Sequence, residues 1–294
     1  MKEGTKLGSR IAEVHNGSSL FTGDAGQGES NIRRWIIEND WLEAIVALPL
    51  NMFYNTGIAT YIWVLTNRKA AHRRGRVQLI DATKWFTPLR KNLGAKNCEL
   101  SDNDIQRICD TFLAFEETAE SKILPNAALG YWKVTVDQPL RIAGIDPNRA
   151  YSPREIKVLK EAGGLDRSGP AVIRKIHKPG SLEPDPLHGL FEATIDGRRC
   201  VVEYEPDGEL RDSELVPLLE AGGIEAFVGR EVLPNVAGAW YDPSNVKKGY
   251  EISFARTFYK PQALRSLEEI RSDILDLELE AEALLDGIIG PRRQ

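Results

Sequence analysis

The stretch Leu48-Pro49-Leu50-Asn51-Met52-Phe53-Tyr54-Asn55-Thr56-Gly57-Ile58 separates two apolar runs, residues 42–48 and 58–65. Two aromatics, an amide and a glycine at the end of a buried strand suit a loop that presents a flat π-face to a planar ligand. Strand ends are where open α/β sheets collect ligands, and a nucleobase taken out of its stack is held between aromatic or apolar walls. The competing reading is a strand-to-strand turn whose aromatics cap the core, since aromatics are mostly packing residues.

Outward from this loop, residues 10–81 read as a strand (10–15), a glycine-rich loop, a helix (31–39), a strand (42–48), the aromatic loop, a strand (60–65), a basic loop and a strand (77–81). The strands are nearly continuous apolar runs, the mark of a sheet buried on both faces. Further on, Ser101 caps a helix to about residue 117 with Ile105, Ile108, Cys109, Phe112 and Leu113 on one face. Residues 131–136 read as a strand, and Ser152 with Glu155 opens a second capped helix to about residue 161. The Pro/Gly/Ser-rich stretch 178–186 marks a boundary. Asp196-Gly197, a pair favoured in tight hairpin turns, joins strands 189–195 and 198–204 and sets Phe191, Ala193 and Ile195 on the same face as Cys200, Val202 and Tyr204. A helix at 213–220 or a strand at 225–228 is the expected cover for that face.

Net charge is −5, but its distribution is uneven. From Arg68 to Lys96 nine basic residues (Arg68, Lys69, Arg73, Arg74, Arg76, Lys84, Arg90, Lys91, Lys96) face one acid, Asp81. Interleaved with Trp85 and Phe86, such a run can contact phosphates and supply the salt-dependent part of DNA affinity; the alternative is a solvated loop. Arg68, Lys69, Arg73, Arg74 and Arg76 are the candidate DNA contacts. From Ser266 to Asp286 eight acids face Arg271 alone. There Ser266 and Glu269 form a capping box, and Leu267, Ile270, Ile274, Leu277, Ala281, Leu284 and Ile288 recur at alternating steps of three and four. This seam is a candidate partner-binding face, although Leu275, Leu279, Leu285 and Ile289 widen the stripe enough to suit packing on the chain's own domain.

The wording of Ser18-Ser19-Leu20-Phe21-Thr22-Gly23-Asp24-Ala25-Gly26-Gln27-Gly28-Glu29-Ser30, Ile32-Arg33-Arg34-Trp35-Ile36, Asn39-Asp40-Trp41-Leu42-Glu43-Ala44-Ile45-Val46-Ala47-Leu48-Pro49 and the Phe-Tyr-Asn-Thr-Gly-Ile run resembles the methyltransferase (M) subunit of type I restriction-modification systems. Val201 to Asp207, Gly222 to Phe227 and Gly249 to Phe254 resemble it less specifically. The resemblance implies S-adenosylmethionine-dependent methylation of adenine N6 in DNA, with the adenine flipped out and its amino nitrogen attacking the cofactor's methyl group. It assigns base stacking to Phe53, with Tyr54 as alternate and Asn55 and Thr56 shaping the loop or touching the nucleotide backbone. It implies docking of the carboxyl-terminal helices on the specificity (S) subunit, and an assembly that includes the restriction (R) subunit.

Family members carry a glycine-containing cofactor loop and an Asn-Pro-Pro-aromatic motif upstream of these blocks, and no Asn-Pro occurs here. The chain is therefore expected to be the carboxyl-terminal half of such a subunit: α/β, the second half of a class I, Rossmann-like methyltransferase sheet, then an α+β accessory region and a C-terminal amphipathic helix. The expected parts are a partial catalytic domain (1–97), a mainly helical region (98–178), an α+β module with a hairpin (179–262) and a docking helix (263–294). Alone it is expected to bind no cofactor and to be inactive, with an open sheet edge that a missing amino-terminal half would cover.

Two rivals remain. One is a non-catalytic module that binds the specificity subunit. The other is a phosphate-binding enzyme using Gly23 to Ser30, which fits G-x-x-x-x-G-x-S except that Glu29 stands where a phosphate-binding lysine is needed. Ser30 or Asp24 is better read as capping the following helix. Cys98, Cys109 and Cys200 lack disulfide or zinc spacing. His15, His72, His177 and His188 are scattered, so no metal site is expected; His15, at a strand end, reads as packing or loop capping. No signal peptide or membrane span is apparent, which makes the cytoplasm the default location.

Overall fold

The structure, a computed structural model, describes residues 1, 5–6, 8–162, 168–260 and 265–289 of the 294-residue chain. It divides into two units, residues 1–257 and 258–294.

The first unit begins with β1 (Arg10–Asn16), α1 (Ser18–Phe21), α2 (Gly28–Glu38), β2 (Leu42–Ala47), β3 (Thr60–Thr66) and β4 (Arg76–Asp81). A separate two-stranded ribbon, β5 (Thr87–Leu93) and β6 (Lys96–Glu99), and α3 (Asp102–Ala114) follow, and β7 (Ser121–Pro125) returns to the main sheet. Its order is β1-β3-β2-β4-β7. β3 runs antiparallel to both β1 and β2, whereas β2 and β4 are parallel, so β1, β2 and β4 all point the same way. Every residue of β2 is buried, as its apolar run requires. Val46, Leu48, Ile80, Ala82 and Trp85 form the core on one face, covered by Ile108 and Phe112 of α3. The apolar face read for α3 is wider than the one used: Ile105, Cys109 and Leu113 are exposed, because the helix touches the sheet along one narrow stripe.

β1 departs from the pattern. It pairs with β3 alone and buries almost nothing, leaving Ile11 38% and Val14 49% exposed at an unpaired sheet margin. A long edge with apolar side chains is a template for further pairing.

α2 opens at Gly28 after Gln27, with no side-chain cap. The capping roles read for Ser30 and Asp24 are therefore corrected: Ser30 lies buried within the helix, and the Asp24 carboxylate accepts from Lys133 Nζ at 2.7 Å. A long-range lysine, invisible in the local sequence, outcompetes the helix end. Arg33 on α2 is buried and donates to the carbonyls of Tyr250 (2.8 Å), Thr22 (2.7 Å) and Ser19 (3.2 Å). One guanidinium thus ties α2 to both ends of the unit.

The rest of the unit holds β8 (Gly130–Asp137), α4 (Pro153–Glu161), β9 (Ile173–Ile176), β10 (Phe191–Ile195), β11 (Arg198–Tyr204), β12 (Asp212–Pro217), α5 (Gly223–Phe227), β13 (Trp240–Tyr241) and β14 (Lys247–Tyr250), and α6 (Phe254–Phe258) reaches the unit's end. β8 pairs with β12, β13 and β14; the order of the smaller sheet is β10-β11-β9. The hairpin has the register read from the sequence, Phe191 opposite Val202 and Ala193 opposite Cys200, with its apolar face in one cluster. Reciprocal boxes cap α3 (Ser101, Asp104) and α4 (Ser152, Glu155). Two readings are reversed. Residues 213–220 were expected as helix, but Val216 is buried and Leu215 exposed at the period of a strand paired to β8. Residues 225–228 were expected as strand, but Gly222 and Gly223 take φ of 79° and 68° and start a helical turn that places Val228 in the core.

Tyr250, buried on β14, donates its hydroxyl to Glu38 Oε1 at 3.4 Å. Burial first, then the Glu38 charge, pushes its phenol up to about 12. The folded state thus favours the protonated ring. Its contribution is complete below the ordinary tyrosine value near 10 and is lost as pH rises through 12, roughly 3 kcal/mol at most. Burial also raises Tyr61, Tyr131, Tyr204 and Tyr241. Urea unfolding at pH 8 and pH 11 is expected to show a smaller alkaline loss in Tyr250→Phe than in the parent; an identical loss would assign the effect to the other tyrosines.

α7 (Leu267–Ile289) belongs to the second unit. Its capping box is formed: Ser266 and Glu269 exchange hydrogen bonds. No helix among the described residues is long and apolar enough to cross a membrane.

Candidate nucleic-acid interface

The carboxyl ends of the three co-directional strands meet at one sheet edge. Gly17 N–H donates to Ala59 O (3.1 Å), Leu48 N–H to Thr60 O (2.9 Å) and Ala82 N–H to Ala47 O (3.0 Å). This brings the turn at 16–17, the aromatic loop and residues 82–86 to a common rim.

In the loop, Met52 packs on the core with Trp85 and Leu48, which anchors it from below. Asn51 and Asn55 both take φ of 56°, a left-handed conformation that asparagine tolerates better than most residues. A Cβ on Gly57 would stand 2.8 Å from Asn51 Oδ1, so a larger residue there would displace that amide. With Met52 half-buried against the core, the rings turn outward: Phe53 is 37% and Tyr54 64% exposed. Thr56 Oγ1 accepts from Ile58 N–H at 3.4 Å, a loop-shaping bond. His15 lies edge-on to Trp63, with Glu13 at 3.5 Å.

The basic run divides sharply. Lys69 is buried, with Nζ 2.6 Å from Asp40 Oδ1 and 2.6 Å from the Arg76 carbonyl. Arg73 is buried between the rings of Phe112 and Phe115, each 4.3 Å away, and bonds Gln78 Oε1 and the Phe112 carbonyl. Its guanidinium lies 3.9 Å from buried Glu43, which also holds Arg10 at 3.0 Å. Both side chains are drawn inward by carboxylates from other elements and are withdrawn from any phosphate. Arg68, Arg74 and Arg76 remain at the surface.

The glycine-rich loop is tied to β8 but stays largely exposed. Asp24 is held by Lys133, Ala25 is fully buried, and a Cβ on Gly26 would meet Lys247 at 3.4 Å. On α7 the seam residues Leu267, Ile270, Ile274, Leu277 and Leu284 are all exposed, as are Leu275 and Leu279. The side chain of Ile288 lies outside the described residues.

Residues 1–129, which contain this whole rim, match the family model for N-6 DNA methylase. That segment is similar to the N-6 DNA methylase family. The relatives are methylase subunits of type I restriction enzymes. The MjaIX methylase subunit of Methanocaldococcus jannaschii is 31% identical over 46% of this chain and 25% of its own length. The HindI methylase subunit of Haemophilus influenzae is 38% identical over 36% of this chain and 22% of its length. A solved type I restriction-modification methyltransferase subunit from Streptococcus thermophilus aligns over 41% of this chain and 24% of that one, with 26% identity and a TM-score of 0.34. The chain spans a quarter or less of the length of the curated relatives named here.

Around this rim, sequence reading placed Phe86 in the basic run but passed over Asn92 and Asn97. The signal was present: Lys84-Trp85-Phe86 places an aromatic pair inside the basic run. Trp85 is buried and Phe86 exposed, a split that composition alone does not give.

Proposed function

We propose that this chain is a carboxyl-terminal part of a type I DNA adenine-N6 methyltransferase subunit, supplying the base-stacking loop, DNA contacts and a docking helix, and inactive alone. The observation that carries this reading is the pair of outward rings, Phe53 and Tyr54, on the rim of a segment that matches the N-6 DNA methylase family. The unpaired β1 margin supports a sheet that is the second half of a class I methyltransferase sheet, its cofactor-bearing strands lying beside Ile11 and Val14 in the complete enzyme. The proposed parts are a partial catalytic domain (1–97), a region (98–178) expected to be mainly helical but corrected here to a mixed one, since β7, β8 and β9 lie in it beside α3 and α4, an α+β module with a hairpin (179–262) and the docking helix (263–294).

S-adenosylmethionine, the family's methyl donor, is not assigned to the glycine-rich loop of this chain, where the Asp24 carboxylate is engaged by Lys133. The cofactor and the amino-nitrogen-binding motif are assigned to the remainder of the enzyme. The residues here do three things: Phe53 stacks on the displaced adenine, Tyr54 walls it, and Arg68, Arg74 and Arg76 meet the DNA backbone.

In the complete methyltransferase assembled with its specificity subunit, Phe53→Ala is expected to lower methyl transfer by about 1–3 kcal/mol, the range for base–aromatic stacking, and to reduce 2-aminopurine fluorescence on flipping. Full activity would remove Phe53 from the site. A second reading, a non-catalytic module that binds the specificity subunit, is favoured by the exposed seam on α7; co-purification with that subunit in an assembly that never methylates would support it.

A further inference from the structure

The β5–β6 ribbon is an anomaly of the fold. It joins none of the three sheets, and along β5 only Leu89 is even half-buried. Isolated two-stranded ribbons are marginal in water, and this one gains little from its own side chains. It is held instead by the aromatic loop. Asn97 N–H donates to Asn51 O at 3.1 Å, Cys98 Sγ lies 3.2 Å from Leu50 O, and Lys96 Nζ stands 5.4 Å from the centre of the Tyr54 ring. At the hairpin tip Gly94 (φ 63°) lies so near the loop that a Cβ would be 3.0 Å from Asn55 Oδ1. Its root is fixed by buried Trp85, on which Arg107 stacks at 4.1 Å.

The ribbon's register is broken. Pro88 faces Cys98 and Leu93 faces Lys96, so Leu89 to Asn92 stand opposite Asn97 alone. A bulge of this kind re-aims side chains, and here it carries Arg90 and Lys91 into solvent. Among the described residues, Lys84, Arg90, Lys91 and Lys96 take part in none of the ion pairs, unlike Lys69 and Arg73. Residues 84–99 hold these four bases and one acid, Glu99. Between ribbon and loop lies an open cleft of about 740 Å³ lined by Leu50, Asn51, Phe86, Leu89, Asn92 and Asn97. It offers an exposed ring, aliphatic walls and side-chain amides, and no carboxylate.

We infer that the β5–β6 ribbon is a nucleic-acid arm: Arg90 and Lys91 grip the backbone of the DNA strand that carries the displaced nucleotide, and Phe86 stacks a neighbouring unpaired base in the cleft. The occupant is DNA rather than an apolar partner because the surface is net positive, Arg90 and Lys91 are exposed and enter none of the ion pairs among the described residues, and the cleft sets an exposed ring beside side-chain amides, the combination used to hold single strands. The inference rests on the reading of Phe53 as the stacking residue of a DNA methyltransferase, and it extends the DNA-contacting surface beyond Arg68, Arg74 and Arg76.

The test is fluorescence anisotropy of the full 294-residue chain with a fluorescein-labelled 15-nucleotide single strand and the matching duplex, over a range of salt. Arg90→Glu with Lys91→Glu is expected to weaken single-strand binding at least tenfold and to flatten the salt dependence. Phe86→Ala is expected to weaken it about five- to a hundredfold with the salt slope unchanged. All three residues are exposed, so circular dichroism should be that of the parent. Parental affinity in the double reversal, or no measurable binding by the parent chain, would overturn the arm; parental affinity in Phe86→Ala would overturn the stacking role. Loss of methylation in Phe53→Ala together with undisturbed binding in the ribbon variants would sink the arm and leave the methyltransferase reading intact.

Discussion

Arg73→Glu is expected to leave the chain unfolded, whereas Arg74→Glu, one residue away, leaves the fold as it was. The guanidinium of Arg73 is buried between Phe112 and Phe115 and faces Glu43, itself buried on β2. Removing one partner of a buried pair costs about 3–5 kcal/mol because the remaining charge is left uncompensated. Reversal goes further: it sets two carboxylates against each other and deprives Gln78 Oε1 and the Phe112 carbonyl of their donor. Against a total stability of about 5–15 kcal/mol, that is enough to depopulate the native state. Arg74 is exposed, and surface changes away from special features stay within about 0.5 kcal/mol. The same substitution at the two positions thus separates folding from DNA binding. Thermal melts by circular dichroism should show no cooperative transition for the first and a parental one for the second, whose DNA binding is weakened although its fold is kept. A native-like melt for Arg73→Glu would mean that this guanidinium is not interior.

The contrast between those arginines also marks how far the sequence was legible. Nothing in Arg68-Lys69-Ala70-Ala71-His72-Arg73-Arg74 distinguishes the members that end inside from those that stay outside. The difference is made by Asp40 and Glu43, which lie about thirty residues earlier and reach these side chains only once β2 and β4 have paired. Local signals did better. β2 declared itself by an unbroken apolar run, the hairpin by Asp196-Gly197, and α3 and α4 by their capping serines. Residues 213–220 misled because Leu215, Val216, Leu218 and Leu219 fit a short helix as well as a strand; pairing with β8 decided the matter. On the rim, the outward aromatics were foreseeable from the loop's composition, but their exposure depends on Met52 being the loop residue that packs on the core. The cleft beside Phe86 depends on two segments that meet only in three dimensions.

Ile274→Glu together with Leu277→Glu is expected to abolish docking of α7 on the proposed specificity subunit while leaving the helix formed. The two residues are neighbours on the seam and both are exposed in this chain. Truncating one buried Leu or Ile costs about 2–5 kcal/mol, and a carboxylate carried into the same apolar contact adds a desolvation penalty. A combined loss of about 4 kcal/mol or more raises Kd roughly a thousandfold. Glutamate is a good helix former, and the cap at Ser266 and Glu269 is untouched, so helicity should persist. Ser272→Glu, off the seam, serves as the control and should bind like the parent. The measurement is titration of the purified specificity subunit with each variant. If α7 instead packs on its own chain, the double variant will lower that chain's melting temperature, and the affinity of any folded fraction will be parental. That pair of results would remove the seam from the assembly, and no other arrangement of outcomes yields it.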